Sequence, residues 1–136
     1  MRIALAAFAC LISPAGGCAS ITGSVFSDAD RCAAIAEVAK TQYEFGMDRP
    51  LPLYNESYGT TCDWESHGLA TRIIGYEDLD AWEGLFVFEK PRQEGDVMVV
   101  RAVYSGPHLY ARQCRVRRDG EGWRLISECP ITDYRH

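Results

Sequence analysis

Several features that would place this sequence of 136 residues in a familiar class of protein are missing. No apolar run reaches the roughly 18 residues that a membrane-spanning helix needs. The formal net charge is −5, so we expect no nucleic-acid partner, because phosphate binding requires a basic surface. The sequence also lacks a Cys-x-x-Cys pair, a Gly-x-Ser-x-Gly turn and a glycine-rich phosphate loop. We therefore predict no catalytic residue, no metal site and no cofactor.

The N-terminus has the composition of an export signal. Arg2 precedes an unbroken apolar run over residues 3–12, Pro14 then breaks the helix, and small residues follow it. The sequence therefore predicts a signal peptide over residues 1–17, a short tether over residues 18–26 and a single domain over residues 27–136.

The segment Ala15-Gly16-Gly17-Cys18 resembles the lipobox of bacterial lipoproteins. The resemblance covers only the first 18 residues, and Ala15 departs from the larger aliphatic residue of the family. It implies cleavage before Cys18, lipidation of that cysteine and attachment to a membrane through the lipid. Because Ala19 is not the aspartate that retains such proteins in the inner membrane, an outer-membrane protein facing the periplasm is implied. The alternative is ordinary secretory cleavage after Ala19, which would give a soluble periplasmic or secreted protein.

Cysteine usage predicts two disulfides in the domain. Of the six cysteines, Cys10 leaves with the signal peptide, and Cys18 is lipidated or removed. Four remain, and an even number in an oxidising compartment predicts two bonds with three possible connectivities. We favour the pairs Cys32–Cys62 and Cys114–Cys129. The alternative is that Cys129 leaves its strand and pairs with Cys32 or Cys62.

The pairing of Cys114 with Cys129 requires a particular register of the strands that carry them. If the turn after Asp119 places Arg118 opposite Trp123, the two cysteines lie diagonally, about 7–8 Å apart. That separation slightly exceeds comfortable disulfide geometry. The bond therefore requires a bulge or a register shift of two residues, which we expect the glycines of the turn, Gly120 and Gly122, to permit.

The remaining pattern predicts an α+β fold. Ser27 is a candidate cap for a helix whose apolar positions recur at helical spacing, and Gly46 is a candidate stop. Strands separated by turn residues are expected over residues 70–75, 85–89, 97–104, 109–116 and 123–129. We expect one N-terminal helix on a curved antiparallel sheet of four to six strands. The order of helix and meander resembles cystatin-like and NTF2-like folds, which is an analogy of fold and not of function.

The most distinctive surface is the last predicted hairpin, which is rich in arginine. A candidate binding surface there consists of Arg112, Arg115, Arg117 and Arg124. Together with an aromatic stretch over residues 54–64, it predicts a non-enzymatic binding module for an envelope protein or an envelope polymer.

The alternative function is a small-ligand carrier or pocket enzyme of NTF2-like type that uses His67 or His108 as a base. Its concave face would be lined by Trp64, Trp82, Tyr104 and Trp123. On an extended strand, Asp63, Glu65 and His67 would share one face, which is the single acid–base arrangement that the sequence suggests.

Overall fold

The computed structural model describes residues 25–81 and 83–135. The predicted signal peptide and the lipidation residue Cys18 lie outside the described residues, as does Trp82. Within the described residues, no helix is both long enough and apolar enough to cross a bilayer.

Helix α1 runs over Asp28–Thr41 and begins at the predicted cap. The Ser27 hydroxyl accepts a hydrogen bond from the Asp30 amide, and the Asp30 carboxylate accepts one from the Ser27 amide. This reciprocal capping box satisfies two amides that have no partner inside the helix. The helix ends at Thr41, and the chain then turns at Glu44, whose φ is 60°, so Gly46 is not the stop that the sequence suggested.

Eight strands follow the helix. They are β1 (Leu51–Tyr54), β2 (Thr71–Ile74), β3 (Leu85–Phe88), β4 (Arg92–Glu94), β5 (Val97–Ser105), β6 (Leu109–Asp119), β7 (Gly122–Leu125) and β8 (Ile131–Arg135). Short 3-10 turns occupy Glu65–His67 and Tyr76–Ala81.

The strands form one curved, mixed sheet in the order β2-β1-β3-β5-β6-β7, with β4 also paired to β5 and β8 also paired to β6. The expected α+β class with one helix and two disulfides is confirmed. The expected antiparallel sheet of four to six strands is wrong, because β1 is parallel to both of its neighbours, β2 and β3. Parallel neighbours need a long connection, and the segment between Tyr54 and Thr71 supplies it.

The register of the last strands explains the second disulfide. Arg118 lies opposite Trp123, as predicted, but β7 ends at Leu125 and β8 resumes pairing with Ile131 opposite Arg112. The irregular residues between these strands shift the register by two, and the Cα atoms of Cys114 and Cys129 come within 4.5 Å. The shift arises after β7, not at the glycines of the turn. Residues 131–135 form strand β8, which is not among the strands expected from the sequence.

Both favoured cysteine pairs are confirmed, since Cys32 is bonded to Cys62 and Cys114 to Cys129. The first bond ties helix α1 to the long connection between β1 and β2. The second joins β6 to the segment before β8. Among the described residues, no cysteine is free.

Helix α1 packs on the concave face of the sheet against β5, β6 and β7. The core between them contains, among others, Ile35, Val38, Phe88, Met98, Val100 and Val116. The central strand β5 is buried on both faces, because Val97 and Val99 on its opposite side are also covered. Its two apolar faces therefore suit its position in the centre of the sheet.

Candidate functional site

A cleft of about 380 Å³ opens at the end of the sheet beside the C-terminal end of helix α1. We call it the tyrosine cleft. Its described lining residues are Tyr43, Phe45, Arg49, Pro50, Pro52, Gly84, Phe86, Tyr104 and Tyr110. The volume falls in the range of small-molecule and peptide pockets, which is roughly 300–1,000 Å³.

The wall of the tyrosine cleft is a row of aromatic rings that crosses neighbouring strands. The ring centroid of Tyr110 on β6 lies 5.2 Å from that of Tyr104 on β5, which lies 5.1 Å from that of Phe86 on β3. Phe86 in turn contacts Tyr43, at 4.7 Å, and Phe45, at 5.3 Å. Because paired strands lie about 4.8 Å apart, side chains on one face of adjacent strands stack in this way.

Tyr104 is held in place by two glycines. A Cβ atom built on Gly84 would lie 2.6 Å from the Tyr104 hydroxyl oxygen, and one built on Gly106 would lie 2.5 Å from its ring atom Cε1. Side chains at these two positions would therefore collide with the ring. The phenol of Tyr104 occupies space that only glycine leaves available, so its position in the cleft is fixed by its neighbours.

Tyr43 contributes a buried hydroxyl to the cleft. Its Oη atom is inaccessible to solvent and has no hydrogen-bond partner among the described residues. Burial, followed by the nearby Tyr110 phenol, raises the pKa of Tyr43 to about 12, while the Arg112 guanidinium acts in the lowering direction. The hydroxyl therefore stays protonated across the physiological range.

Two arginines near the tyrosine cleft differ from the other arginines. Arg49 donates a hydrogen bond of 2.8 Å to the Tyr43 carbonyl, and its guanidinium stacks 4.5 Å from the Phe45 ring centroid. Arg112 donates to the Cys129 carbonyl, and its guanidinium lies 5.7 Å from the Tyr110 ring. Neither guanidinium lies within 4 Å of a carboxylate oxygen among the described residues.

The arginine surface predicted from the sequence is divided between the two faces of the sheet. Arg115, Arg117 and Arg124 lie on the convex face, whereas Arg112 lies on the concave face with Tyr110. We call the convex group the outer arginine face; Arg92 and Arg101 also belong to it.

Carboxylates neutralise most of the outer arginine face. Glu94 accepts from both Arg92 and Arg115, and these hydrogen bonds hold its pKa below the usual value. Arg117 pairs with Asp96 at 3.2 Å and Arg124 with Asp119 at 3.7 Å, while Arg101 pairs with Glu89. These exposed pairs leave little net charge with which this face could attract an anionic partner.

The other residues singled out from the sequence do not converge on one site. Trp64 is in the core, and Trp123 packs against Phe26 at 5.0 Å, near the opposite end of helix α1. Of the four aromatic residues expected on the concave face, Tyr104 is the one that lines the cleft, and Trp82 lies outside the described residues.

The two histidines lie elsewhere. His67 belongs to the 3-10 turn Glu65–His67, so the shared face that Asp63, Glu65 and His67 would have on a strand does not form. His108 is exposed in the turn between β5 and β6. Neither histidine is among the described lining residues of the cleft. Within the described residues, no cluster of histidine, cysteine or acidic side chains could hold a metal ion.

The residues that line the cleft come from segments that are distant in the sequence. Tyr104 and Tyr110 flank the turn at Ser105-Gly106-Pro107, and an antiparallel hairpin there makes them direct partners. Tyr43, Phe45 and Arg49 follow the helix in a segment without periodic pattern. What brings both groups together is the contact of Tyr43 and Phe45 with Phe86, which is distant in sequence.

Comparisons of the chain with protein-family models, with curated proteins and with solved structures found no match. The site therefore has to be interpreted from its own chemistry.

Proposed function

We propose that this chain is a non-enzymatic binding module of the cell envelope that holds a protein or an envelope polymer in the tyrosine cleft. The observation that carries the proposal is the row of fixed aromatic rings beside two arginines without ion pairs. Aromatic rings and arginines are the side chains that contribute most to binding free energy, particularly where they are held rigidly.

We propose in addition that the chain is exported and anchored to the outer membrane. The lipobox-like segment ending at Cys18 supports an outer-membrane lipoprotein that faces the periplasm. The two disulfides support a compartment that is oxidising. The helix on a concave sheet supports the cystatin-like or NTF2-like analogy, which remains part of this proposal.

We place the binding surface at the tyrosine cleft and not at the outer arginine face. On the outer face, arginine charges are paired with Glu94, Asp96 and Asp119. A partner there would have to break existing ion pairs, whereas Arg49 and Arg112 can bind an anionic group without doing so.

The second candidate function is that of a small-ligand carrier. The cleft volume of about 380 Å³ favours it, since drug-sized molecules fill pockets of this size. The pocket-enzyme version of this candidate, with His67 or His108 as a base, has no support from the lining of the cleft.

Site-specific photo-crosslinking in intact cells tests the proposal. A photoreactive phenylalanine analogue replaces Pro50 at the rim of the tyrosine cleft in one strain and Arg117 on the outer arginine face in another. We expect a discrete adduct from position 50 and none from position 117. An adduct from position 117 alone, or from neither position, would refute the cleft as the binding surface.

A further inference from the structure

The lining of the tyrosine cleft is chemically selective. Among its described members are five aromatic residues, two prolines, one glycine and one arginine. Sugar hydroxyls both donate and accept, and the described lining lacks the amide and carboxylate side chains that commonly pair with them. A ligand with flat apolar surfaces and exposed carbonyl acceptors suits this lining better, because phenol hydroxyls and guanidinium groups are its donors.

A proline-rich peptide has those properties. In the polyproline II conformation its backbone carbonyls form no internal hydrogen bonds and remain open to donors. Its rings pack into grooves between aromatic side chains, and its preformed shape reduces the entropy lost on binding. The row from Tyr110 through Tyr104 to Phe86, with ring centroids 5.2 and 5.1 Å apart, forms a continuous aromatic wall of the cleft on which proline rings can pack.

The donors of the cleft are in place before a ligand arrives. The Tyr43 hydroxyl is closed to solvent, so the donors that line the accessible cleft are the Tyr104 and Tyr110 hydroxyls and the Arg49 guanidinium. Arg49 is oriented by the Tyr43 carbonyl and by the Phe45 ring. A guanidinium has five donors, and this hydrogen bond uses one of them.

The charge at the cleft specifies the ligand further. Seven described arginines are ion-paired, but Arg49 and Arg112 are not. An acidic residue in the peptide would pair with one of them without displacing an existing partner, whereas a lysine there would meet like charge.

On the basis of the proposed function, we propose that the ligand of the tyrosine cleft is an extended, proline-rich peptide segment that carries acidic residues. Its prolines pack on the wall formed by the rings of Tyr104 and Tyr110, its carbonyls accept from the hydroxyls of these two tyrosines, and a carboxylate pairs with Arg49.

Fluorescence anisotropy with defined peptides tests the ligand class. The probe is a fluorescein-labelled peptide of Glu-Pro-Pro repeats. Its two comparators are Lys-Pro-Pro repeats, which reverse the charge, and Glu-Gly-Gly repeats, which keep the charge but lose the preformed shape. We expect each comparator to bind at least about tenfold more weakly than the probe, because Lys-Pro-Pro loses a charged contact and Glu-Gly-Gly loses more conformational entropy on binding.

Matched variants locate the binding. Tyr110→Ala and Arg49→Gln should each weaken probe binding about tenfold. The controls are Tyr76→Ala, at a tyrosine that is 75% exposed, and Arg124→Gln on the outer arginine face. Both controls should bind the probe as the unaltered chain does.

The outcomes separate this inference from the function on which it rests. Equal binding of the probe and its comparators, or equal binding by Tyr110→Ala, overturns the peptide ligand. Binding of chitohexaose that depends on Tyr110 also overturns it and identifies a glycan ligand in the same cleft. If no probe binds, the peptide class is rejected, and the crosslinking from position 50 still decides independently whether the cleft is the binding surface.

Discussion

Tyr104 shows how single residues shape the tyrosine cleft, because its ring lies between two backbone segments that approach it too closely for any side chain. Gly84 and Gly106 stand on opposite sides of the phenol, and a methyl group at either position would fall within 2.6 Å of it. The ring cannot move away from one glycine without meeting the other segment. Tyr104 is thus positioned by the absence of side chains at its two neighbours.

We expect Gly84→Ala to destabilise the domain by about 1–3 kcal/mol, the usual cost of forcing extra volume into a packed site. Gly46→Ala is the matched control, because a Cβ atom there would meet nothing within 4 Å. Thermal unfolding followed by circular dichroism measures both variants. Equal melting temperatures for the two would show that Tyr104 is not confined as described.

The Tyr43 hydroxyl predicts a pH dependence of stability at alkaline pH. Burial raises the pKa of Tyr43 to about 12, above the value near 10 of an unfolded tyrosine. Between these values the folded chain keeps a proton that the unfolded chain has lost. The stabilisation is therefore complete below about pH 10 and is lost as the pH rises through about 12.

In Tyr43→Phe this contribution is absent, so the melting temperature should fall less between about pH 10 and 12 than in the unaltered chain. Tyr76→Ala, which removes an exposed tyrosine, serves as the control and should follow the unaltered chain. If the melting temperatures of all three proteins fell in parallel with rising pH, the burial of the Tyr43 hydroxyl would be contradicted.

At the scale of elements, the two disulfides have different environments. Cys114 is fully buried and Cys129 is 3% exposed, whereas Cys32 and Cys62 are both partly exposed. A reductant reaches the bond Cys114–Cys129 only after the strands around β6 open. The partly exposed bond Cys32–Cys62 joins helix α1 to the connection between β1 and β2.

Partial reduction should therefore break Cys32–Cys62 before Cys114–Cys129. Alkylation of the released thiols at increasing reductant concentration, followed by peptide mass analysis, gives the order directly. Simultaneous release of all four thiols, or release of Cys114 and Cys129 first, would contradict the difference in burial.

Removing the buried disulfide by Cys114→Ala with Cys129→Ala should lower the free energy of unfolding by about 3 kcal/mol, because the bond closes a loop of 15 residues. Urea denaturation measures the loss. A loss below about 1 kcal/mol would mean that the register shift before β8 holds these strands together without the bond.

The elements that could be predicted from the sequence are those marked by a short residue pattern, such as a helix cap or a turn. The Ser27 capping box and the turn after Asp119 fixed the start of helix α1 and the register of β6 with β7. The parallel pairing of β1 could not be predicted, because it joins segments about 20 residues apart whose short lengths carry no sign of direction. Strand β8 was missed because its alternation is weak and it follows an irregular segment.

The candidate site was predicted less well than the fold. The arginines of the last hairpin were expected to share a surface, but strand alternation places Arg112 on the opposite face from Arg115 and Arg117. The aromatic stretch over residues 54–64 was also expected to be a surface, yet Trp64 is 4% exposed. The cleft depends on contacts between distant segments, which single-residue patterns do not reveal.

At the scale of the whole molecule, the start of the domain and the tyrosine cleft lie at opposite ends. Phe26 packs on Trp123 before the first turn of helix α1, and Tyr43 follows its last turn. The 14-residue helix between them is about 21 Å long. A lipid anchor at Cys18 would therefore be joined to the chain at the end of helix α1 that lies away from the cleft.

Lipid anchoring gives a prediction at this scale. Cys18→Ser should move the protein from the membrane fraction to the soluble fraction, and intact-mass analysis of the unaltered protein should show a chain that begins at a diacylated Cys18. A mature chain that begins at Ser20 would instead establish ordinary secretory cleavage after Ala19.

The most direct test of the central claim compares two surfaces of the same protein. Tagged chains are isolated from solubilised envelope fractions as the unaltered protein, as a cleft variant (Arg49→Gln with Tyr110→Ala) and as an outer-face variant (Arg115→Glu with Arg117→Glu). We predict that the same partner co-purifies with the unaltered protein and the outer-face variant, and is lost from the cleft variant, while all three keep similar melting temperatures. Loss of the partner from the outer-face variant, with retention by the cleft variant, would contradict the assignment of binding to the tyrosine cleft.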